Sequence, residues 1–218
     1  NPPNITGGYL LETNFKLNRY AESPSGFIPT FGYPIEIKSP KYATKEQVSY
    51  ICKYYNEMIE AIRSEDGINA RTKKHYTDYI DIDSFIYYYL CSELLFNHDA
   101  VFASFFMYKD KNAKMHCGPL WDFDLSLNTK VCFVKANGYN GFYVRESQEK
   151  DGSLMLFGQL YKHREYRQRL IEIFNTEILP IARSYYQENT LDSIHNVIET
   201  DLTINGLKWG YVLSHLYK

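Results

Sequence analysis

Three aspartates flank a segment predicted to form a β-hairpin, and their oxygen atoms could hold a divalent metal ion. Asp99 lies in a polar loop before the hairpin, and Asp122 and Asp124 follow the hairpin directly. Because a closed hairpin returns the chain to the end where it began, these loops are expected to lie at one end of a small sheet. Like charges held close together require a cation, and oxygen-only ligand sets favour Mg²⁺ or Mn²⁺ over zinc. The spacing therefore predicts that the three carboxylates converge on a metal.

These aspartates also have a purely structural interpretation. Asp is frequent at helix N-caps and in turns, where its side chain accepts hydrogen bonds from nearby backbone N–H groups. The pattern Asp-x-Asp is common, so Asp122 and Asp124 carry only a modest signal for metal binding. Both interpretations stay open at this point.

Lys38 is a second candidate functional residue. It ends the alternating run from Ile35, so it could direct a cation toward a cleft in which phosphate charge is neutralised. Glu12, at the end of the first predicted strand, could be its ion-pair partner. Lysines at strand ends are usually just solvated, and that alternative remains.

Other chemistries lack their sequence signals. The chain has no G-x-S-x-G, no G-x-G-x-x-G after a strand, no P-loop and no H-E-x-x-H, so acyl transfer and dinucleotide binding are disfavoured. The four cysteines are widely spaced and form no C-x-x-C pair, which argues against a structural zinc site.

The strands and helices that position these residues are predicted from hydrophobic periodicity and from turn residues. Short strands are predicted around Tyr9–Leu11 and Ile35–Lys38, a helix from the capping-box residue Thr44 to Gly67, and a second helix from near Asp81 or Asp83 to Asn97. The hairpin spans residues 102–120. A long loop is predicted for 128–152, followed by helices to the end of the chain with interruptions at Pro180 and Gly206.

Composition limits the class of protein. The chain has 218 residues, which suits one domain, and its net charge of −2 with a pI near 6.3 gives no electrostatic reason to expect a nucleic-acid partner. It contains no apolar run long enough to predict a membrane span. Its 21 tyrosines suit core edges and grooves, and their helical spacing favours packing over a stacking surface for carbohydrate or peptide.

Six short sequence motifs follow one another along the chain: Gly7–Glu12, Glu36–Pro40, Tyr79–Phe85, Ser92–Leu94 with Asn97–Ala100, Met107–Asp110, and Gly118–Leu125. Together they resemble motifs of the CotH kinase-like proteins, relatives of the spore-coat protein CotH with an atypical protein-kinase-like fold. The resemblance extends to about Arg169, and the motif from Gly118 to Leu125 is its most specific part.

The resemblance implies roles for the residues around the hairpin. Asp99 occupies the position of the aspartate that accepts the proton of the substrate hydroxyl, and Asp122 that of the aspartate that binds the magnesium bridging the phosphates. Ser104, five residues after Asp99, stands at a metal-binding position where many kinases have asparagine. Asp124 would be a second metal ligand or an anchor for the first.

The resemblance also implies a nucleotide site. Lys38 is similar to the lysine that contacts the phosphates of ATP, with Glu12 as its partner, and Glu93 would be a buried support for the catalytic loop. The implied fold is α+β and atypical protein-kinase-like, with partial N-lobe strands followed by a largely helical C-lobe carrying a catalytic β-hairpin. The chain is expected to be a single CotH-like domain, with residues 1–43 as a partial N-lobe and 44–218 as the C-lobe.

The function implied is phosphotransfer. The protein is expected to move the γ-phosphate of ATP to a Ser or Thr hydroxyl of a protein, with Mg²⁺ or Mn²⁺. By this resemblance the chain begins partway through the N-lobe and has no glycine-rich loop to cover the phosphates of ATP. Transfer of phosphate by this chain is therefore expected to be weak or lost. The alternative is a non-catalytic extracellular module that binds polysaccharide or protein on the same scaffold. The resemblance also suggests an exported bacterial protein of the cell surface or spore coat.

Overall fold

The computed structural model describes residues 5–14, 25–97, 99–100, 103–126, 142–146, 156–187 and 189–209. The chain divides into two compact units, residues 1–170 and 171–218. The first unit contains the sheet and the helices nearest to it in sequence, and the second is helical in its described part. The α+β class predicted from the sequence is confirmed at this level.

Five antiparallel strands form one sheet with the order β2-β3-β1-β4-β5. The N-terminal strands pair with one another, and β1 also pairs with β4 of the hairpin, from Tyr9 opposite Lys109 to Thr13 opposite Phe105. The hairpin therefore continues the sheet of the N-terminal strands. The strands are β1 (Tyr9–Thr13), β2 (Gly26–Phe27), β3 (Ile35–Ser39), β4 (Phe105–Lys109) and β5 (Met115–Cys117).

The hairpin has shorter strands than the sequence predicts. Its described strands cover Phe105–Lys109 and Met115–Cys117 rather than all of 102–120, of which Phe102 lies outside the described residues. After Cys117, the N–H of Gly118 still donates to the carbonyl of Phe106 at 2.9 Å. Pro119 has no N–H to donate, so regular pairing stops there.

Alternation along the strands gives the sheet two different faces. Leu11, Ile37, Met107 and Met115 are buried on one face, where β5 contacts a helix of the first unit. Residues one position away in each strand point to the opposite face, which is partly exposed. The apolar face is the core side, and the other face is available for chemistry.

Helix α1 (Lys45–Arg63) begins with the predicted capping box. The N–H of Gln47 donates to Thr44 Oγ1 at 3.3 Å, and the N–H of Thr44 donates to Gln47 Oε1 at 2.8 Å. The helix ends at Arg63, where Ser64 donates its hydroxyl to the carbonyl of Ala61. Gly67, the predicted end, lies in the turn that follows, with a left-handed φ of 75°.

Helix α2 (Ile82–Leu94) carries the chain toward the candidate site. Asp81 caps it by accepting the N–H of Ser84 at 2.9 Å, as the sequence predicts. The guanidinium of Arg169 binds both carboxylate oxygens of Asp83, at 2.9 and 2.7 Å. A short 3₁₀ turn, Tyr76–Asp78, precedes α2, and the unit also contains α3 (Tyr143–Glu146), α4 (Leu156–Leu160) and most of α5 (Arg164–Ile173).

In the second unit the predicted interruption at Gly206 is wrong, whereas the α-helical hydrogen-bond pattern does change just before Pro180. A π-helical turn (Phe174–Ile178) leads directly into α6 (Leu179–Gln187), and Pro180, which has no N–H to donate, lies at the start of α6. Gly206 is buried inside α7 (Thr190–Trp209). The break between α6 and α7 includes Asn189, with a φ of 51°, a conformation that asparagine adopts more easily than most residues.

The prediction that tyrosines pack in the core is confirmed for those that are buried. Several tyrosines are buried, some of them completely: Tyr9, Tyr55, Tyr76, Tyr79, Tyr88, Tyr89 and Tyr166. Of the predicted loop 128–152, only 142–146 lies within the described residues, as α3 and the residue before it. Within the part of the chain that the structure describes, none of the helices is both long and apolar enough to cross a membrane.

Candidate functional site

The hairpin brings Ser104 and Asp122 into direct contact. The hydroxyl of Ser104, just before β4, donates a hydrogen bond to Oδ2 of Asp122, shortly after β5, at 3.1 Å. Both residues have left-handed backbone conformations, with φ of 51° for Ser104 and 59° for Asp122. Such conformations cost of order 1–3 kcal/mol each and cluster at functional sites. Two residues with strained backbone therefore hold two side-chain oxygen atoms side by side at one end of the hairpin.

The expected convergence of three carboxylates is not found. Among the residues that the structure describes, no group of three or more His, Cys, Asp or Glu side chains is placed to hold a metal ion. Asp124 lies in the exposed turn that follows Asp122, closed by the N–H of Ser126 donating to the carbonyl of Phe123 at 3.1 Å. The left-handed backbone at Asp122 sets the direction of its side chain, which the spacing of the sequence does not encode.

Asp99 lies in a loop fixed by backbone hydrogen bonds. The N–H of Asn97 donates to the carbonyl of Ser92 at 2.8 Å, and Asn97 Oδ1 accepts the N–H of Asp99 at 3.1 Å. The carbonyl of Asp99 in turn accepts the N–H of Ala103 at 3.2 Å, one residue before Ser104. Asn97 is 2% exposed, so this turn is anchored in the core at the end of α2.

Tyr88 packs beside the residue that follows Ser104. Burial raises the pKa of Tyr88. Its ring packs edge-on against Phe105, with ring centroids 4.9 Å apart.

Lys38 forms the ion pair with Glu12 that the sequence predicts. Lys38 Nζ lies 3.0 Å from Glu12 Oε2 and 3.2 Å from Glu36 Oε1. Partial burial alone would lower the pKa of Lys38, but its hydrogen bonds to the two carboxylates raise it above the ordinary value. Asn14 Nδ2 donates to the second oxygen of Glu36 at 2.8 Å. Lys38 is therefore charged and held in place across β1 and β3.

The Lys38 ion pair and Phe106 lie on the same, partly exposed face of the sheet. Glu12 is opposite Glu36 on β3 and opposite Phe106 on β4, and paired residues of antiparallel strands share a face. The ring of Phe106 makes an edge contact with Trp121, with centroids 6.4 Å apart. Trp121 directly precedes Asp122 in the sequence, so this contact connects the face that carries Lys38 with the segment that carries Asp122.

The comparisons with known proteins place the chain in a family. The family model described as CotH kinase protein matches residues 4–216, nearly the whole chain. The chain belongs to the CotH kinase family. No curated protein and no solved structure shows significant similarity to it.

In this CotH kinase family member, Glu93 has a contact that the sequence does not predict. Its carboxylate accepts the N–H of Val144 at 3.2 Å and that of Arg145 at 3.2 Å. Burial raises the pKa of Glu93, and the hydrogen bonds from the backbone oppose the rise. The Glu93 side chain thus binds a segment fifty residues further along the chain.

Two further features of this CotH site escape the sequence analysis. Glu36 as a second partner of Lys38 could have been found, because residues two apart in a strand point to the same face. The contact of Phe106 with Trp121 could not, because it depends on the path of the chain through 118–121 after β5.

Proposed function

We propose that this chain is an atypical kinase-like phosphotransferase that moves the γ-phosphate of ATP to a Ser or Thr hydroxyl of a protein, with Mg²⁺ or Mn²⁺. Membership of the CotH kinase family supports the reaction class. The observation that carries the proposal is the hydrogen-bonded oxygen pair of Ser104 and Asp122, held by strained backbone next to the Asp99 loop. The family match spans both compact units, which supports treating the chain as a single CotH-like domain.

The donor set fits a hard divalent cation. Mg²⁺ is usually bound by one or two carboxylates together with substrate phosphates and several waters, so a cluster of three carboxylates is not required. Asp122 and Ser104 would hold the ion, and Asp124 in the next turn would be a further ligand or anchor. A bound ion would neutralise charge on the phosphates of ATP.

Lys38 and Asp99 have separate tasks in this proposal. Lys38, oriented by Glu12, would contact the phosphates, whose charge must be balanced during transfer. The Asp99 carboxylate would accept the proton of the substrate hydroxyl. At the same time the hydroxyl oxygen of the substrate would bond to the γ-phosphorus, and the bond between the γ-phosphorus and the leaving oxygen of ADP would break. The core-anchored turn at Asn97 keeps Asp99 in place for this step.

Thermal-shift titration with ATP and Mn²⁺ tests the site. We expect stabilisation of the wild-type chain that needs both ligands together, loss of this stabilisation in Asp122→Asn, and a weaker effect in Ser104→Ala. Asp201→Asn, at an exposed position of α7, removes one negative charge away from the hairpin and should behave as wild type. Equal stabilisation of the wild type and Asp122→Asn would contradict the assignment.

Radiolabelled transfer from ATP to casein tests the catalytic role. Asp99→Asn should keep the ATP-dependent stabilisation and lose transfer, because a proton acceptor acts mainly in the transition state. A binding module, the alternative function, would show neither metal-dependent nucleotide binding nor transfer. That result would instead favour the alternative in which exposed aromatic side chains bind polysaccharide or protein. Such side chains include Tyr108, which stacks on His116, and Trp121, which is 60% exposed.

A further inference from the structure

The end of α2 holds a second segment besides the Asp99 loop. Two oxygens of one carboxylate, that of Glu93, accept two successive backbone N–H groups, those of Val144 and Arg145. These groups lie in the first turn of α3, where backbone N–H groups have no partner within the helix. Glu93 therefore does for α3 what an N-cap side chain does for a longer helix, but from a distant part of the sequence.

Side chains support the same attachment. The rings of Phe96 and Tyr143 pack with centroids 5.0 Å apart, and Val144 is 3% exposed. The guanidinium of Arg145 lies over the ring of Phe142 at 4.1 Å and over the ring of Tyr161 at 4.6 Å. The segment 142–146 is thus attached on one side to the end of α2 and on the other to the residue that follows α4.

The same few residues of α2 also begin the catalytic loop. Ser92, next to Glu93, accepts the N–H of Asn97, and Asn97 holds the N–H of Asp99. Phe96 lies between the two attachments and has a left-handed φ of 51°. The left-handed conformation of Phe96 persists because the hydrogen bonds of Ser92 and Asn97 and the contacts of segment 142–146 hold the chain on both sides of it.

We propose that Glu93 is a positioning residue, which fixes segment 142–146 beside the Asp99 loop so that a protein substrate can place its hydroxyl at Asp99. This inference rests on the proposed phosphotransfer, since it concerns the acceptor of that reaction. The proposed nucleotide side of the site consists of Lys38 and the Ser104–Asp122 pair, and Glu93 contacts none of these residues through its described hydrogen bonds. Loss of the Glu93 carboxylate should therefore weaken binding of the acceptor protein and leave binding of ATP unchanged.

Steady-state kinetics with casein as acceptor distinguish these effects. Glu93→Ala should raise the KM for casein about tenfold, which corresponds to about 1.4 kcal/mol, because segment 142–146 loses its attachment to α2. The KM for ATP should change less than about twofold. Glu93→Gln, which keeps the shape and one acceptor oxygen, should have an intermediate KM for casein. Glu65→Gln, at an exposed position after α1, is the matched control and should equal wild type.

Amide hydrogen exchange gives a readout that does not depend on activity. In Glu93→Gln the amides of Val144 and Arg145 should exchange faster than in the wild type, while the amides of α1 keep their protection. A wild type that transfers phosphate and a Glu93→Ala variant with an unchanged KM for casein would overturn the inference alone. A wild type that neither binds ATP with metal nor transfers phosphate would overturn the proposed function, and this inference with it.

Discussion

The ammonium group of Lys109 donates a hydrogen bond to the backbone carbonyl of Thr6 at 2.6 Å, across 103 positions of the sequence. Lys109 is 1% exposed, and its Nζ lies 4.8 Å from the centre of the Tyr54 ring. Burial lowers the pKa of this lysine, and the charge of Asp110 opposes the effect. A buried cation thus ties the segment before β1 to the hairpin that carries the candidate site.

Replacing Lys109 should separate the contributions of its chain and its charge. Lys109→Met keeps most of the packed methylene groups and loses the hydrogen bond to Thr6, so we expect a loss of about 1 kcal/mol in the free energy of unfolding. Lys109→Ala also leaves a cavity and should lose about 3 kcal/mol. Urea unfolding measures both. Equal losses would show that the packed stem does not stabilise the fold, and a more stable Met variant would show that the cost of burying the charge dominates.

Gly7 and Gly8 form a matched pair for a second prediction. A Cβ at Gly7 would collide with the backbone of Asp110 and Lys111 in the hairpin turn, whereas nothing in the described structure lies within 4 Å of a Cβ at Gly8. Gly7→Ala must push the turn away and should cost about 2–3 kcal/mol. Gly8→Ala meets only the strain of its φ of 81° and should cost about 1 kcal/mol. Comparable unfolding midpoints for the two variants would contradict this close approach.

Replacing Ser104 by asparagine is predicted to improve binding of ATP with Mn²⁺. Asparagine tolerates the left-handed backbone at this position better than serine, and its amide oxygen reaches further toward a metal beside Asp122. Ser104→Asn should stabilise the unliganded chain by about 0.5 kcal/mol and enlarge the thermal shift with ATP and Mn²⁺. Ser104→Ala, which loses the oxygen, should reduce that shift. A smaller shift in the Asn variant than in the Ala variant would argue against position 104 as a metal ligand.

The elements that the sequence predicts well are those fixed by neighbouring residues. The capping box at Thr44 and Gln47 lies within one turn of the helix it begins, so the spacing alone identifies it. The start of α2 was predicted near Asp81 or Asp83, and the structure assigns the N-cap to Asp81. The alternation that ends in Lys38 likewise reveals a strand. Local patterns cannot show that β1 pairs with β4, because that pairing joins segments nearly a hundred residues apart.

The candidate site was predictable to a similar extent. Closing the hairpin predicted that Asp99, Asp122 and Asp124 converge, whereas Ser104 was indicated only by the family resemblance; the observed contact joins Ser104 and Asp122. The convergence of three carboxylates is not found among the described residues, because left-handed residues decide where a side chain points and the sequence does not mark them when they are not glycine.

The ion pair of Asp83 with Arg169 gives a prediction about pH. The hydrogen bonds from Arg169 lower the pKa of the Asp83 carboxyl group, although partial burial acts against them. For a group whose pKa is lower in the folded state, the unfolded chain binds more protons as pH falls, so its stabilising contribution is present above the unfolded pKa of about 3.9 and is lost as pH falls through the folded value. Both side chains are about one-third exposed, at 37% for Asp83 and 35% for Arg169, so solvent screening limits the contribution to about 1 kcal/mol.

Arg169→Met tests this linkage by removing the partner while leaving Asp83 in the first turn of α2, where a negative charge is favourable. We expect the variant to be about 1 kcal/mol less stable than the wild type at pH 7, and the difference to shrink progressively below about pH 4 as Asp83 is protonated in both proteins. Urea unfolding between pH 7 and pH 3 measures the difference at each pH. The single variant Asp83→Asn and the double variant complete the cycle, and Arg169→Met should cost almost nothing when Asp83→Asn is already present. A difference between wild type and Arg169→Met that stays constant down to pH 3 would mean that Arg169 stabilises α2 through packing of its side chain rather than through the charge of Asp83.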